Sequence, residues 1–276
     1  MSPVLITVLL CAAVCAVTLV ASLVTGDSSW VDRLWSIVPV VYAWVFALSY
    51  RSDARLTVMA VLITLWGARL TFNFARRGGY SGYEDYRWPV LRARMTPVQY
   101  RLFTAGFIVL FQNVVLLLIV MPMSTVAAHP SSTLEPWFVV LSLAFVGALV
   151  GETVADQQQW DFQRRKQAVI AAGGTPEQRF RTTGLFAVSR HPNYFFELSQ
   201  WWIVFLVGVA AAGSLWQWTG VGVVLLTAIF VGSTRFTEEI SLARYPEYAE
   251  YQRRVSAVVP LPPRGRGTDV VPDTGA

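Results

Sequence analysis

The chain has 276 residues, of which 54% are hydrophobic and 14% charged, with a net charge of +5 and a pI near 9.5. That balance lies outside the range of a soluble globular domain, and the cations cluster between apolar stretches, which excludes a soluble nucleic-acid-binding protein. Two cysteines and two histidines, with none at metal-ligand spacing, point to no metal site.

Seven stretches, roughly 3–25, 34–50, 56–75, 100–122, 135–157, 194–213 and 215–232, are long and apolar enough to cross about 30 Å of hydrocarbon as helices. They predict an all-α, polytopic membrane bundle. The first stretch reads as a helix and not a signal peptide, since no Lys or Arg precedes it and its apolar core is long. Cys11 and Cys15, one turn apart within it, are expected to be packing residues, because one regular helix disfavours a disulfide between them. Asp32 at the start of the second stretch and Arg69 inside the third are buried-site candidates, because isolated charges there need partners. The segment from Arg76 to Trp88 has glycines but no strand-to-helix setting, and it suits either a lid or interfacial docking.

Six Arg lie in 76–101, five Arg and one Lys in 164–190, and six Arg in 235–266, whereas 123–134 and 213–214 contain neither residue. The positive-inside rule then predicts an external N-terminus and a cytoplasmic C-terminus. Arg51 and Arg55 run against this, since they fall in a connection predicted to be external.

The fifth stretch ends in a polar run. Glu152 and Asp156 are four residues apart, and Gln159 and Gln163 extend the same helical face, a stripe able to hold ribose hydroxyls or amides. A solvated helix end is the alternative. Arg164, Arg165, Lys166, Arg179 and Arg181 follow and would suit the phosphates of a phosphorylated dinucleotide, although attraction to anionic lipid explains them too. The run Ser189-Arg190-His191-Pro192-Asn193-Tyr194-Phe195-Phe196-Glu197 opens the sixth stretch. Pro192 suits a first helical turn, which puts Asn193 and Glu197 on one face. A charged side chain in a span costs about 2.5–3.5 kcal/mol on insertion scales, so Glu197 is expected to face a polar cavity or ligand.

Beyond the seventh stretch, Tyr245, Tyr248 and Tyr251 recur every three residues, with Pro246 expected to break the helix after the first. They suit a segment closing over a site, or interfacial anchors. Composition predicts one membrane domain over 1–260 and a disordered cytoplasmic tail over 261–276.

These elements carry a family resemblance. The motifs are Glu152-x-x-x-Asp156-x-Gln158-x-x-x-Phe162, then Gly184-Leu185-Phe186-x-x-Ser189-Arg190-His191-Pro192-Asn193-Tyr194-x-x-Glu197 with Trp201-Trp202, and the closing segment from Tyr251 to Pro260. In them the chain resembles bacterial membrane proteins of poorly defined function that are grouped with the steroid 5α-reductases. The resemblance covers most of the chain and implies seven helices, NADPH held between helices and cytoplasmic loops, and hydride delivery to an activated alkene of a lipophilic, steroid- or isoprenoid-like substrate. It implies cofactor contacts for Asp156, Asn193, Glu197 and Tyr251, with Glu152 in the place of a family amide. Gln163, Arg164 and Arg181 join this set from the stripe and cation cluster described above.

The acceptor half departs from the family. An ungapped match puts Asp32 at the family acid but Trp66 at its tyrosine, and indole lacks the phenol's proton donation. Either Tyr42, Tyr83 or Tyr86 donates, or the substrate is not a 3-oxo steroid; Asp32, Arg69 and Tyr86 form the expected catalytic set. The isoprenylcysteine carboxyl methyltransferases share the Arg-His-Pro element, so an S-adenosylmethionine-dependent membrane methyltransferase is the rival expectation, and a non-enzymatic lipid-binding protein a third. The expected setting is a bacterial cytoplasmic membrane, with a lipophilic small molecule and membrane lipids as partners and no nucleic acid; the sequence leaves homo-oligomerisation open.

Overall fold

A computed structural model describes residues 1–82 and 84–265; Tyr83, an expected donor, and residues 266–276 of the expected tail lie outside the described residues. The fold is all-α: 73% of it is helix, and no strand occurs among the described residues. Helix α1 (Pro3–Thr25) starts where the Ser2 hydroxyl accepts from the Leu5 amide at 3.3 Å and stops at Gly26, whose φ of 69° suits glycine. The second span is broken into α2 (Trp30–Leu34) and α3 (Val38–Ser49), the break falling ahead of Pro39. Asp53 caps α4 (Ala54–Arg76), and α5 (Arg87–Ala93) follows as a short amphipathic piece.

The fourth span begins at α6 (Pro97–Phe103) with a Thr96–Gln99 capping box, passes through a π-helical stretch (Thr104–Phe111) into α7 (Gln112–Leu118), and restarts at Pro122 as α8 (Pro122–Ala128). Helices α9 (Pro136–Ala171), α10 (Pro192–Ala212) and α11 (Val221–Arg244) complete seven helical segments long and apolar enough to cross a bilayer, and α12 (Tyr248–Arg254) is the last helix among the described residues. The seventh span, Trp218–Arg244, outlasts its apolar pattern because α11 stays helical past Arg235, and the chain turns at Pro246 as expected.

The chain divides into two compact units, Met1–Val146 with Gln200–Thr227, and Gly147–Ser199 with Ala228–Ala276. In the first unit the Trp44 indole of α3 donates to Thr64 of α4 (2.9 Å), and Ser36 in the α2–α3 turn is bonded to Thr71 of α4 (2.7 Å). Gly67 permits that approach, since a Cβ there would sit 2.5 Å from the Ser36 carbonyl oxygen. Gly222 does the same for α11 against α7, where a Cβ would meet the Leu118 carbonyl at 2.4 Å.

The cations that ran against the predicted orientation find a partial explanation here. Arg55, 2% exposed, donates to both Asp53 carboxylate oxygens (3.0 and 2.7 Å) and to the His129 carbonyl (2.6 Å), with Glu135 at 3.5 Å. A neutralised, enclosed guanidinium clips two connections together and carries little weight as an orientation signal.

In the second unit the segment after α12 is tied back by main-chain bonds. Leu261 donates to the Val188 carbonyl at 3.0 Å and Arg264 to the Arg254 carbonyl at 2.8 Å, so hydrogen bonding continues into the stretch that composition placed in the tail.

Candidate functional site

The second unit collects the buried acids. Glu152 and Asp156 on α9 are 2% and 6% exposed, one helical turn apart, while Glu197 on α10 is 7% exposed and one turn beyond the half-buried Asn193. The two helices meet closely at Gly151: a Cβ there would lie 2.5 Å from the Phe196 ring. The missing side chain therefore brings α9 and α10 together at the level of Glu152 and Glu197, the next residue on each helix. All three carboxylates interact with neighbouring groups, as buried acids must.

Arg190 and Glu238 hold the start of α10 in place. The Arg190 guanidinium donates bidentately to Glu238 on α11 at 2.6 and 2.9 Å, and to the carbonyls of Gln252 (3.0 Å) and Val255. Glu238 also accepts from the Gln252 amide (3.0 Å) and lies 3.1 Å from His191 Nε2. Next to this pair the amides of Arg190 and His191 donate to the Ser256 and Ala257 carbonyls (2.8 and 3.0 Å), and the Ser189 hydroxyl to the Val258 carbonyl (2.6 Å). The Arg-His-Pro element is thus a mooring for the closing segment, and it fixes the direction in which Pro192 launches Asn193 and Glu197. Glu238 was not among the expected site residues; its only sequence signal is a carboxylate pair, Glu238-Glu239, at the polar end of an apolar helix.

The expected cofactor cations divide into two groups. Arg181 donates to the carbonyls of Thr183 (3.1 Å) and Gln158 (2.9 Å), and the Gln158 side chain in turn accepts from the Leu185 amide (3.0 Å). Together they staple the 3₁₀ turn Gly184–Ala187 to α9, with Gly184 at φ 68° and no room for a Cβ beside Gln158. Lys166 likewise donates to the Arg179 carbonyl (2.5 Å) and the Tyr245 hydroxyl (3.1 Å). Arg164 and Arg165 stand exposed and form no ion pair among the described residues, while Gln163 is half-buried. Tyr251 is buried, and its hydroxyl donates to the Phe186 carbonyl. Burial, then the neighbouring Tyr248, pushes its pKa far above the ordinary phenol value, so it remains a donor. Tyr248, Tyr251 and Val255 form an apolar cluster with Phe180 and Tyr245, where Phe180 lies 4.9 Å from Tyr248 and 5.6 Å from Tyr251. The tyrosine periodicity therefore makes an internal cluster.

The expected acceptor residues lie in the first unit. Asp32 accepts from the Trp88 indole at 2.9 Å, and the Asp85 amide donates to Ser29 at 3.1 Å, so α5 is docked on α2 and the residues before it on the α1–α2 connection. Arg33 strengthens this by pairing with Asp27 (2.6 Å) and donating to the Gly79 carbonyl (3.2 Å). Arg69 is half-buried on α4, and Tyr86, immediately before α5, is 45% exposed. Trp66 is fully buried and meets Trp201 edge to face at 4.8 Å.

The fold and this arrangement define the class: an all-helical integral membrane protein whose spanning helices carry buried acids. Residues 18–255 match the family described as protein of unknown function DUF1295, and the chain belongs to that family. It is 37% identical over 252 residues to an uncharacterised protein of the fission yeast Schizosaccharomyces pombe, an alignment covering 86% of this chain and 73% of that one. That relative is eukaryotic, so the likeness reaches beyond the bacterial proteins of the sequence-based expectation. No solved structure matches.

Proposed function

We propose that the protein is a membrane-embedded NADPH-dependent oxidoreductase that reduces a carbon–carbon double bond of a lipophilic, steroid- or isoprenoid-like substrate. The observation that carries this reading is the approach of α9 and α10 at Gly151 and Phe196, which brings the buried Glu152–Asp156 and Asn193–Glu197 pairs to adjoining levels. The donor set fits the cofactor: carboxylates accept from ribose hydroxyls and a carboxamide, and exposed arginines suit phosphates. Asn193 and Glu197 would hold the nicotinamide end, Asp156 and Glu152 the ribose region, and Arg164 and Arg165 the phosphates. NADPH supplies the hydride when bound. The chain's own residues bind and orient NADPH and keep water out.

One observation favours the methyltransferase alternative: Arg181 and Lys166 already donate to backbone carbonyls, which leaves fewer cations for phosphates. Calorimetry with NADPH, NADH and S-adenosylmethionine on the detergent-purified protein separates the readings. The reductase reading expects NADPH to bind more tightly than S-adenosylmethionine. Adenosylmethionine binding without NADPH binding would replace it with the transferase, and failure of all three would leave the non-enzymatic lipid-binding protein.

A further inference from the structure

A cavity of about 380 Å³ opens in the first unit where the end of α1 meets the start of the fourth span. Its volume falls within the common ligand-site range of roughly 300–1,000 Å³. Two hydroxyls on its wall stand out. Ser22 and Thr104 are 6% and 7% exposed, and neither side-chain oxygen has a hydrogen-bond partner among the described residues. In this conformation both oxygens are shielded from solvent; a buried hydroxyl without a partner costs about 1–3 kcal/mol, which a χ1 turn toward an acceptor in the cavity would relieve. Tyr100 lines the same cavity, but its hydroxyl is bonded to Ser28 at 2.9 Å.

Cations mark the outer rim. Arg92 pairs with Glu84 at 2.6 Å and lies over the Tyr100 ring, whereas Arg101 is exposed and makes no hydrogen bond or ion pair among the described residues. The rim thus keeps one positive charge in excess. Leu19 and Leu23 supply an aliphatic wall, with Leu23 64% exposed on the face that a bilayer would cover.

The order along the helices is informative. Thr104 lies three residues deeper into the span than Arg101, and Leu19 lies three deeper than Ser22, a rise of roughly 4.5 Å in each case. Cation, hydroxyl and aliphatic side chain therefore follow one another from the membrane surface inward. A phospholipid presents its phosphate, its glycerol ester carbonyls and its acyl chains in the same order. We propose that this cavity binds one anionic phospholipid, with Arg101 and Arg92 at the phosphate, the Ser22 and Thr104 hydroxyls donating to ester carbonyls, and an acyl chain passing inward along Leu19. The excess rim charge selects an anionic headgroup, because the choline of a zwitterionic lipid would be repelled. This inference is independent of the reductase reading.

Native mass spectrometry of the full chain in detergent, titrated with phosphatidylglycerol, phosphatidylcholine or inorganic phosphate, tests it. The wild type is expected to retain one phosphatidylglycerol in preference to phosphatidylcholine, with no retained phosphate. Arg101→Gln should weaken retention about fivefold, as expected for one basic residue near an anionic lipid. The pair Ser22→Ala and Thr104→Val should weaken it further, and all variants should keep the wild-type melting temperature in lipid-free detergent. Equal retention of the two lipids, capture of inorganic phosphate instead, or undiminished phosphatidylglycerol binding in folded variants would each overturn the proposal. If the hydroxyl variants melt early, the wild type and Arg101→Gln still decide it.

Discussion

Arg55 and Arg190 show how this chain keeps ionised groups out of water. Each is enclosed, each grips a carboxylate at two points, and each also donates to backbone carbonyls. Breaking such a pair by removing one partner leaves the other charge buried, at about 3–5 kcal/mol. Arg55→Met is therefore expected to lower stability by that amount, read as a fall in the detergent melting temperature; an unchanged midpoint would show the clip to be dispensable. A pH dependence accompanies it. Burial alone would raise the Asp53 pKa, but its hydrogen bonds from Arg55 prevail and hold it below the ordinary value of 3.8. The folded pKa is depressed, so the pair's contribution is present above about pH 3.8 and is lost as pH falls through the lower folded value. Melting curves between pH 7 and pH 3 should show an acid loss in the wild type that Asp53→Asn lacks. Equal acid loss in both would assign it to other carboxylates.

Among the elements, what the sequence revealed was local. Helix periodicity spaces Glu152 from Asp156 and Asn193 from Glu197, Pro192 and Pro246 punctuate the chain, and apolar length marks the spans; each of these depends on a few consecutive residues. What it concealed depends on which helices touch. Arg190 and Glu238 are 48 residues apart in sequence, and nothing near either names the other. Arg181 looked like a phosphate ligand because its charge is visible in the sequence, while its two carbonyl acceptors belong to the fold. The same holds for Gly222, whose lack of a side chain matters only because the Leu118 backbone passes there. Gly222→Ala is expected to force α11 away from α7 at a cost of about 1–3 kcal/mol, the usual range for overpacking. A melting temperature equal to wild type would show that the contact yields freely.

At the scale of the whole molecule, seven helices long and apolar enough to cross a bilayer point to membrane integration, and the distribution of cations proposes the orientation. With Arg55 locked in its clip, the remaining bias still favours an external N-terminus and cytoplasmic basic segments. In a variant with Cys11 and Cys15 replaced by alanine, a cysteine at Gly173 should be labelled by an impermeant maleimide only after cells are opened. One at Leu215 should be labelled in intact cells. The reverse pattern would invert the topology and move the acid-lined site to the other side of the membrane.

The reductase reading depends most on the carboxylates of α9 and α10 acting as nucleotide ligands, and NADPH binding isotherms of the wild type, Glu152→Gln and Glu197→Gln measure this directly. Loss of a hydrogen bond to a charged group predicts affinity weakened by roughly ten- to a hundredfold in each variant, with melting temperatures preserved. Wild-type affinity in both folded variants would remove these acids from the cofactor site, and the proposed function with them.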